Sequence, residues 1–251
     1  FFKNTFFGKL FQLNSFSGWK PMFANVSVEF KIKYFGMTIS SNIIILLLMF
    51  SSPLFAENIE YKEDGKYRII SNIHLINDVD YKIFDRYQIL VEIPTGTRQK
   101  WEVNHKSGNL EWEFKNGAPR KIKFLGYPGN YGFIPQTLSG DGDALDIIVL
   151  SESAKRGDVL EVKVIGMLKF IDKGESDNKV IAISNEGVFK KIDTLKEMLL
   201  KEPNVIPIIR GWFEGYKGSG KLVFMGYENR EKTISYIEKS HDNWKTQSKN
   251  K

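Results

Sequence analysis

The sequence contains no cysteine, which excludes disulfide bridges and thiolate metal sites. Histidine is scarce. The three, at 74, 105 and 241, are scattered without ligand spacing and read as structural or surface residues. Long apolar runs are lacking too: the unbroken run IIILLLMF at 43–50 is too short to span a bilayer. Excess positive charge is confined to one end. Residues 1–56 hold five Lys and one Glu, a net of +4, whereas 57–251 hold 31 basic and 29 acidic residues. The pI of about 9.2 is therefore mostly a leader effect and argues little for a nucleic-acid binder. No internal repeat or linker divides 57–251, which is long enough to bury the core of one domain.

The chain begins with Phe, and residues 1–36 are rich in Phe, Asn and Ser without periodicity. They are expected to lie outside the natural mature protein, with Met37 or Met22 as its start. The run at 43–50, followed by Ser51-Ser52-Pro53-Leu54-Phe55-Ala56, resembles the core and cleavage region of a secretory signal peptide over 37–56. Leu54 is unusual at the −3 position, and no basic residue separates Met37 from the run. This reading makes 57–251 a periplasmic or secreted domain with no stable membrane span after cleavage. The opposing reading is a cytoplasmic protein whose N-terminal segment is buried or disordered.

What the chain does have is a dense stretch of acid, Asp141-Gly142-Asp143-Ala144-Leu145-Asp146, preceded by Tyr127-Pro128-Gly129-Asn130-Tyr131-Gly132. Residues 141–143 read as a turn and 145–150 as an apolar strand buried on both faces. Asp is a poor strand former, and crowding three of them costs Coulomb energy unless a cation compensates. Carboxylate oxygens are the usual ligands of hard cations such as Mg²⁺. A divalent-metal site at a turn–strand junction follows. The plain alternative is a solvated acidic turn, against which Asp146 weighs because it carries charge into the strand. An EF-hand loop counted from Asp141 fails: Leu145 and Asp146 fall where an oxygen ligand and a Gly are needed.

Along the body, strands are expected over 87–94, 100–103, 111–114, 159–170, 179–183 and 222–227, with 122–125 leading into the Tyr127 motif. Asn116-Gly117 is a hairpin signal, and Gly166 marks a bulge or bend. Helices are expected over 193–201, capped by Asp193, over 204–216, and over 229–239, before a frayed polar tail. The second carries Val205, Ile208, Ile209, Trp212, Phe213 and Tyr216 at helical spacing. Short strands with Gly-rich turns suggest an α+β fold: a small closed twisted β-barrel, OB-like, of about five core strands, with flanking helices mostly C-terminal.

A second acidic cluster, Asp172-Lys173-Gly174-Glu175-Ser176-Asp177-Asn178-Lys179, follows the longest strand and by itself reads as a solvated hairpin loop. Lys100 and Glu102, two apart, share one strand face. Arg120 offers a bidentate fork that suits phosphate, with Lys121 and Lys123 as near competitors. Carboxylates that could hold metals and cationic or hydroxyl donors that could clamp phosphate oxygens are thus both present.

Tyr127-Pro-x-Asn-Tyr131-Gly followed by Asp141-x-Asp143-x-x-Asp146, with Glu92-Ile-Pro and Lys100-x-Glu102 upstream, resembles the signature of soluble family I inorganic pyrophosphatases; the resemblance covers roughly 87–226. It implies Mg²⁺-dependent hydrolysis of pyrophosphate to two orthophosphates by in-line attack of a metal-activated water, with several Mg²⁺ ions per site. It implies Asp141, Asp146, Asp172 and Asp177 as metal ligands and Asp143 as proton acceptor. Lys100, Arg120, Tyr131, Tyr216 and Lys217 would bind phosphate, with Glu92, Glu102 and Lys179 in support and Lys221 adding positive charge. It also implies a homo-oligomer. The gap from Glu92 to Lys100 looks one residue shorter than in some relatives, and the segment around 117–123 varies in length among them. Two other readings stand beside it: an exported divalent-metal-binding module without catalysis, and a phosphohydrolase acting on an organic phosphoanhydride. An oligonucleotide-binding barrel is disfavoured by the near-neutral body and the acid cluster, so no nucleic-acid partner is expected.

Overall fold

The computed structural model describes residues 58–249. The leader, with the signal peptide expected over 37–56 and the cleavage position expected at Ala56, lies outside the described residues. Fourteen strands follow in order: β1 Tyr61–Glu63, β2 Arg68–Ser71, β3 Lys82–Ile83, β4 Arg86–Ile93, β5 Trp101–Val103, β6 Leu110–Trp112, β7 Phe114–Lys115, β8 Ala118–Pro119, β9 Asn130–Ile134, β10 Leu145–Leu150, β11 Val159–Asp172, β12 Glu175–Ser176, β13 Lys179–Ser184 and β14 Leu222–Glu228. The helices are α1 Leu195–Lys201, α2 Val205–Tyr216 and α3 Arg230–Ser248.

Five strands return on themselves. β4 pairs with β9, β9 with β10, β10 with β13, β13 with β11, and β11 with β4 again. The closure is uneven: β4 meets β11 over residues 87–90 only, and β10 runs parallel to β13 while the other contacts are antiparallel. This is the expected OB-like barrel. Closure leaves few open edges, and the long β11 makes it possible by bending. Its register shifts between Val164 and Gly166, where Gly166 has φ +159°, so the bulge expected there is present. Gly132 permits the closest strand approach, since a Cβ there would meet the Leu90 carbonyl oxygen at 1.8 Å.

β10 is buried on both faces, as its unbroken apolar run predicts. Ile147 and Val149 join one core cluster with Val91, Val164, Ala182 and Ile237 of α3. Ile148 and Leu150 join another with Phe170, Ile181 and the inner faces of α1 and α2. Each such side chain contributes about 1.5–3 kcal/mol on burial. Residues 58–86, for which the sequence offered little, add β1 and β2 to the β5–β6 ribbon and β3 to the edge of β4. The Asn116-Gly117 hairpin forms between β7 and β8, with both turn residues at positive φ (54° and 74°), as a two-residue primed turn requires.

Several expectations need correction. The cap of α1 is Thr194, whose hydroxyl accepts from the Glu197 N–H, while the Asp193 side chain pairs with Lys163 instead. Ile208 points away from the buried face of α2, which is formed by Ile206, Ile209, Trp212 and Phe213. As expected, 122–125 leads into the Tyr127 motif, as irregular chain after a single bridge at Lys121. The polar tail does not fray early. α3 continues to Ser248 because Tyr81, His241 and Trp244 stack along it, at 3.7 and 5.6 Å between ring centroids.

Candidate active site

Parallel pairing of β10 with β13 sets Ile147 beside Val180, and so Asp146 beside Lys179. The turn at Lys173 and Gly174, both at positive φ, folds β11 back so that Asp172 and Asp177 end near each other. Lys179 is buried, and its ammonium donates to Asp146, to Asp177 and, at 3.4 Å, to the Tyr131 hydroxyl. Lys217, just past the end of α2, donates to Asp172 Oδ2 at 2.6 Å and to Asp177 Oδ2 at 3.1 Å. Two ammoniums thus join three carboxylates, with Asp177 shared. Burial works against the charge of Asp177, but Lys179 and Lys217 outweigh it and hold the carboxyl below the usual range.

An aromatic shelf supports these groups. Tyr127 packs 5.0 Å from Tyr131 and 4.4 Å from Trp212, and Trp212 stacks on Tyr216 at 4.7 Å with planes 10° apart. Tyr131 is almost wholly buried; burial first, then Asp146, raises its hydroxyl well above the ordinary value, so it stays a neutral donor. Tyr216 fits both readings open to it, with an indole against its ring and a side chain only half buried.

Just before β5, Lys100 Nζ lies 2.7 Å from Glu102 Oε1 and 5.5 Å from the centroid of Tyr131. Burial opposes the Lys100 charge, but Tyr127, Glu102 and Glu92 outweigh it and keep the ammonium protonated. The two glutamates beside it differ. Glu92 is buried, accepts the Val103 N–H at 2.8 Å, and is pushed up to about 8 by that burial. Glu102 is held below its usual range: burial opposes its charge, but Lys100 outweighs it. Glu102 therefore carries the charge and Glu92 the proton at neutral pH.

Asp141 and Asp143 sit in the exposed turn before β10, braced by the Asp143 N–H on Asp141 Oδ1 at 3.1 Å and the Ser139 N–H on the Asp143 carbonyl at 2.7 Å. Desolvation, and then Asp141, Asp146 and Glu102, raise the Asp143 carboxyl; His105 opposes them.

Arg120 is on the flank and already occupied: Nη1 donates to both oxygens of Glu113, at 2.8 and 2.6 Å. Glu113 was missed from the sequence, although a signal was present. Counting outward from the Asn116-Gly117 turn pairs 115 with 118 and 114 with 119, which leaves 113 opposite 120. Tyr127, quoted only as part of a motif, is another site residue missed. So is His105, read as a structural or surface residue, whose Nε2 lies 3.3 Å from Asp143 Oδ1. Lys221 is exposed.

Among the described residues, no three His, Asp or Glu side chains gather into a ready-made metal cage. The donor set nonetheless suits a hard cation. Asp146, Asp172 and Asp177 supply only oxygen, and they already converge on cationic nitrogens that neutralise them as a metal ion would. The arrangement can hold cations, bind a polyanion between ammonium and phenol donors, and offer a carboxylate base at its rim.

Comparison with known proteins points the same way. A family profile described as "Inorganic pyrophosphatase" matches residues 89–245. The mitochondrial inorganic pyrophosphatase of Saccharomyces cerevisiae is 34% identical over 187 residues, covering 62% of this chain and 60% of that protein. The chain thus spans less than two thirds of the length of that relative. The inorganic pyrophosphatase of Neisseria meningitidis serogroup B is 31% identical over 176 residues, covering 68% of this chain and 93% of that one. Among solved structures, the N-terminally truncated vacuolar soluble pyrophosphatase of Trypanosoma cruzi, in complex with PPi, superposes with a TM-score of 0.75 at 25% identity, covering 87% of this chain and 99% of that one.

Proposed function

The chain belongs to the inorganic pyrophosphatase family, and from that premise we propose that it hydrolyses inorganic pyrophosphate to two orthophosphates at the site around Asp177. One observation carries the reading. Lys179 and Lys217 bridge Asp146, Asp172 and Asp177, next to the phenols of Tyr131 and Tyr216 and across from Lys100. A bare metal-binding module would have no use for the lysines and tyrosines, whereas a phosphoanhydride substrate needs both sets.

Asp141, Asp146, Asp172 and Asp177 would hold Mg²⁺, several ions per site. When bound, the metal supplies charge neutralisation on the phosphates and makes a water more acidic. Asp143, at the rim, takes the proton of the attacking water. The water oxygen forms a bond to one phosphorus while the bridging P–O bond breaks in line on the opposite side. Lys100, Lys217 and Arg120 balance the negative charge that accumulates on the departing phosphate, and the Tyr131 and Tyr216 hydroxyls donate to its oxygens. Glu102 fixes Lys100, and Lys179 fixes Asp146 and Asp177. Glu113 holds Arg120 through one nitrogen and leaves the rest of the guanidinium for phosphate. Assembly as a homo-oligomer and export after cleavage near Ala56 belong to the same proposal.

Phosphate release by the purified chain with Mg²⁺ tests it, with pyrophosphate, a nucleoside triphosphate and an organic diphosphate compared at equal concentration. Release from pyrophosphate alone supports the assignment. Preference for an organic substrate favours the broader phosphohydrolase reading. Absence of release with metal still bound favours the binding module.

A further inference from the structure

Asp146, Asp172 and Asp177 each have a lysine partner, but Asp143 does not. Among the described residues, the basic group within ion-pairing distance of Asp143 is His105, its Nε2 3.3 Å from Asp143 Oδ1. We propose that His105 is a positioning residue for Asp143, anchoring one oxygen of the carboxylate so that the proton of the attacking water is taken at the other.

Both ends of this contact sit on braced turns. His105 follows β5 in the turn at 104–108, where Asn104 Oδ1 accepts the N–H groups of Lys106 at 2.9 Å and Ser107 at 3.1 Å. The Gly108 N–H closes the turn on the Asn104 carbonyl at 2.8 Å, and Asn104 Nδ2 reaches Glu111 Oε2 at 3.1 Å. His74 packs against the turn from outside. Its Nε2 lies 3.3 Å from the His105 carbonyl, and a Cβ on Gly108 would come within 2.6 Å of its Cα. The His105 backbone is therefore fixed from two sides, which spares part of the entropy that an exposed pair otherwise costs. Asp143 is fixed by the Ser139 and Asp141 contacts of its own turn. The charged groups facing the ring are Asp143 and, from β5, Glu102. A carboxylate crowded by Asp141, Asp146 and Glu102 gains from a basic group held at ion-pairing distance by the turn that follows β5.

The inference rests on the reading of Asp143 as proton acceptor. The test is steady-state turnover of pyrophosphate by His105→Ala and His105→Gln, alone and combined with Asp143→Asn, together with imidazole NMR. The side chains are 57% and 71% exposed, so the expected effect is modest: kcat of His105→Ala falls about two- to fivefold, with KM nearly unchanged. His105→Gln restores it, because the amide nitrogen reaches about as far as the ring Nε2. In the Asp143→Asn background, His105→Ala adds nothing further. With three histidines in the chain, the His105 resonances are identified by their loss in His105→Gln; Asp143→Asn moves them and leaves those of His74 and His241 in place. Unchanged kcat in His105→Ala, a loss that Gln does not restore, or His105 resonances indifferent to Asp143→Asn would each overturn the proposal. Full turnover by Asp143→Asn would instead overturn the proton-acceptor reading, while the NMR contact would persist.

Discussion

Lys217 reaches from the end of α2 to Asp172 at the end of β11, 45 residues away in sequence, with Nζ 2.6 Å from Oδ2. The contact ties the helical layer to the barrel at the point where Asp177 and Lys179 also meet. The same ammoniums that neutralise the carboxylates lie within reach of any phosphate that enters, so stability and chemistry draw on one cluster.

Removing Lys179 should expose that dependence. Lys179→Met keeps the volume but leaves Asp146 without its ammonium and Asp177 with Lys217 alone, and breaking a buried pair costs about 3–5 kcal/mol. Thermal denaturation should show a large loss of stability, and added Mg²⁺ should raise the midpoint of the variant more than that of the wild type. Equal Mg²⁺ responses would mean that the carboxylates are not a cation site.

Asp143→Asn should lower kcat by about 10²–10⁴-fold, the usual contribution of general base catalysis, with little change in KM or in overall stability, because the residue is exposed. Pyrophosphate turnover beside circular dichroism checks both halves of that expectation.

Arg120→Lys keeps the charge and loses the fork. Since Glu113 already takes two of the hydrogen bonds, a lysine would be absorbed by Glu113 and leave little for phosphate. The expected outcome is a fall in kcat/KM for pyrophosphate of about tenfold, the scale of one charge-assisted hydrogen bond. Unchanged kcat/KM would place Arg120 outside the phosphate site.

Glu92 makes stability depend on pH. Its carboxyl stands at about 8 in the folded protein against an ordinary value of 4.5, so between these pH values the folded state binds more protons than the unfolded state. Stability then falls as pH rises through this window, by up to a few kcal/mol. Glu92→Gln keeps the acceptor for the Val103 N–H and removes the ionisation. Urea titrations at pH 5 and pH 8 should show wild type losing stability relative to the variant as pH rises; a constant difference would contradict it.

The barrel and the Asp141–Asp146 junction were legible in the sequence because local signals and tertiary demands coincide there. The unbroken apolar run of β10, the Asn116-Gly117 turn and the Gly166 bulge each mean one thing wherever they occur. Ile208 was misread because a helical stripe drawn from spacing is wider than the face that α2 buries, and the Asp193 cap because Thr194 offers an equivalent hydroxyl one residue on. The partnerships Lys179–Asp146, Lys217–Asp172 and His105–Asp143 depend on strand register and chain crossings, which no local pattern encodes. Glu113 is the exception: hairpin register alone sets it opposite Arg120.

The most direct test of the central claim is the stoichiometry and metal dependence of pyrophosphate hydrolysis by the purified full chain. The account predicts two orthophosphates per pyrophosphate consumed with Mg²⁺, none with excess chelator, and loss of turnover in Asp177→Asn, which removes the carboxylate charge shared by Lys179 and Lys217. Turnover that survives the chelator, or that Asp177→Asn leaves intact, would contradict it.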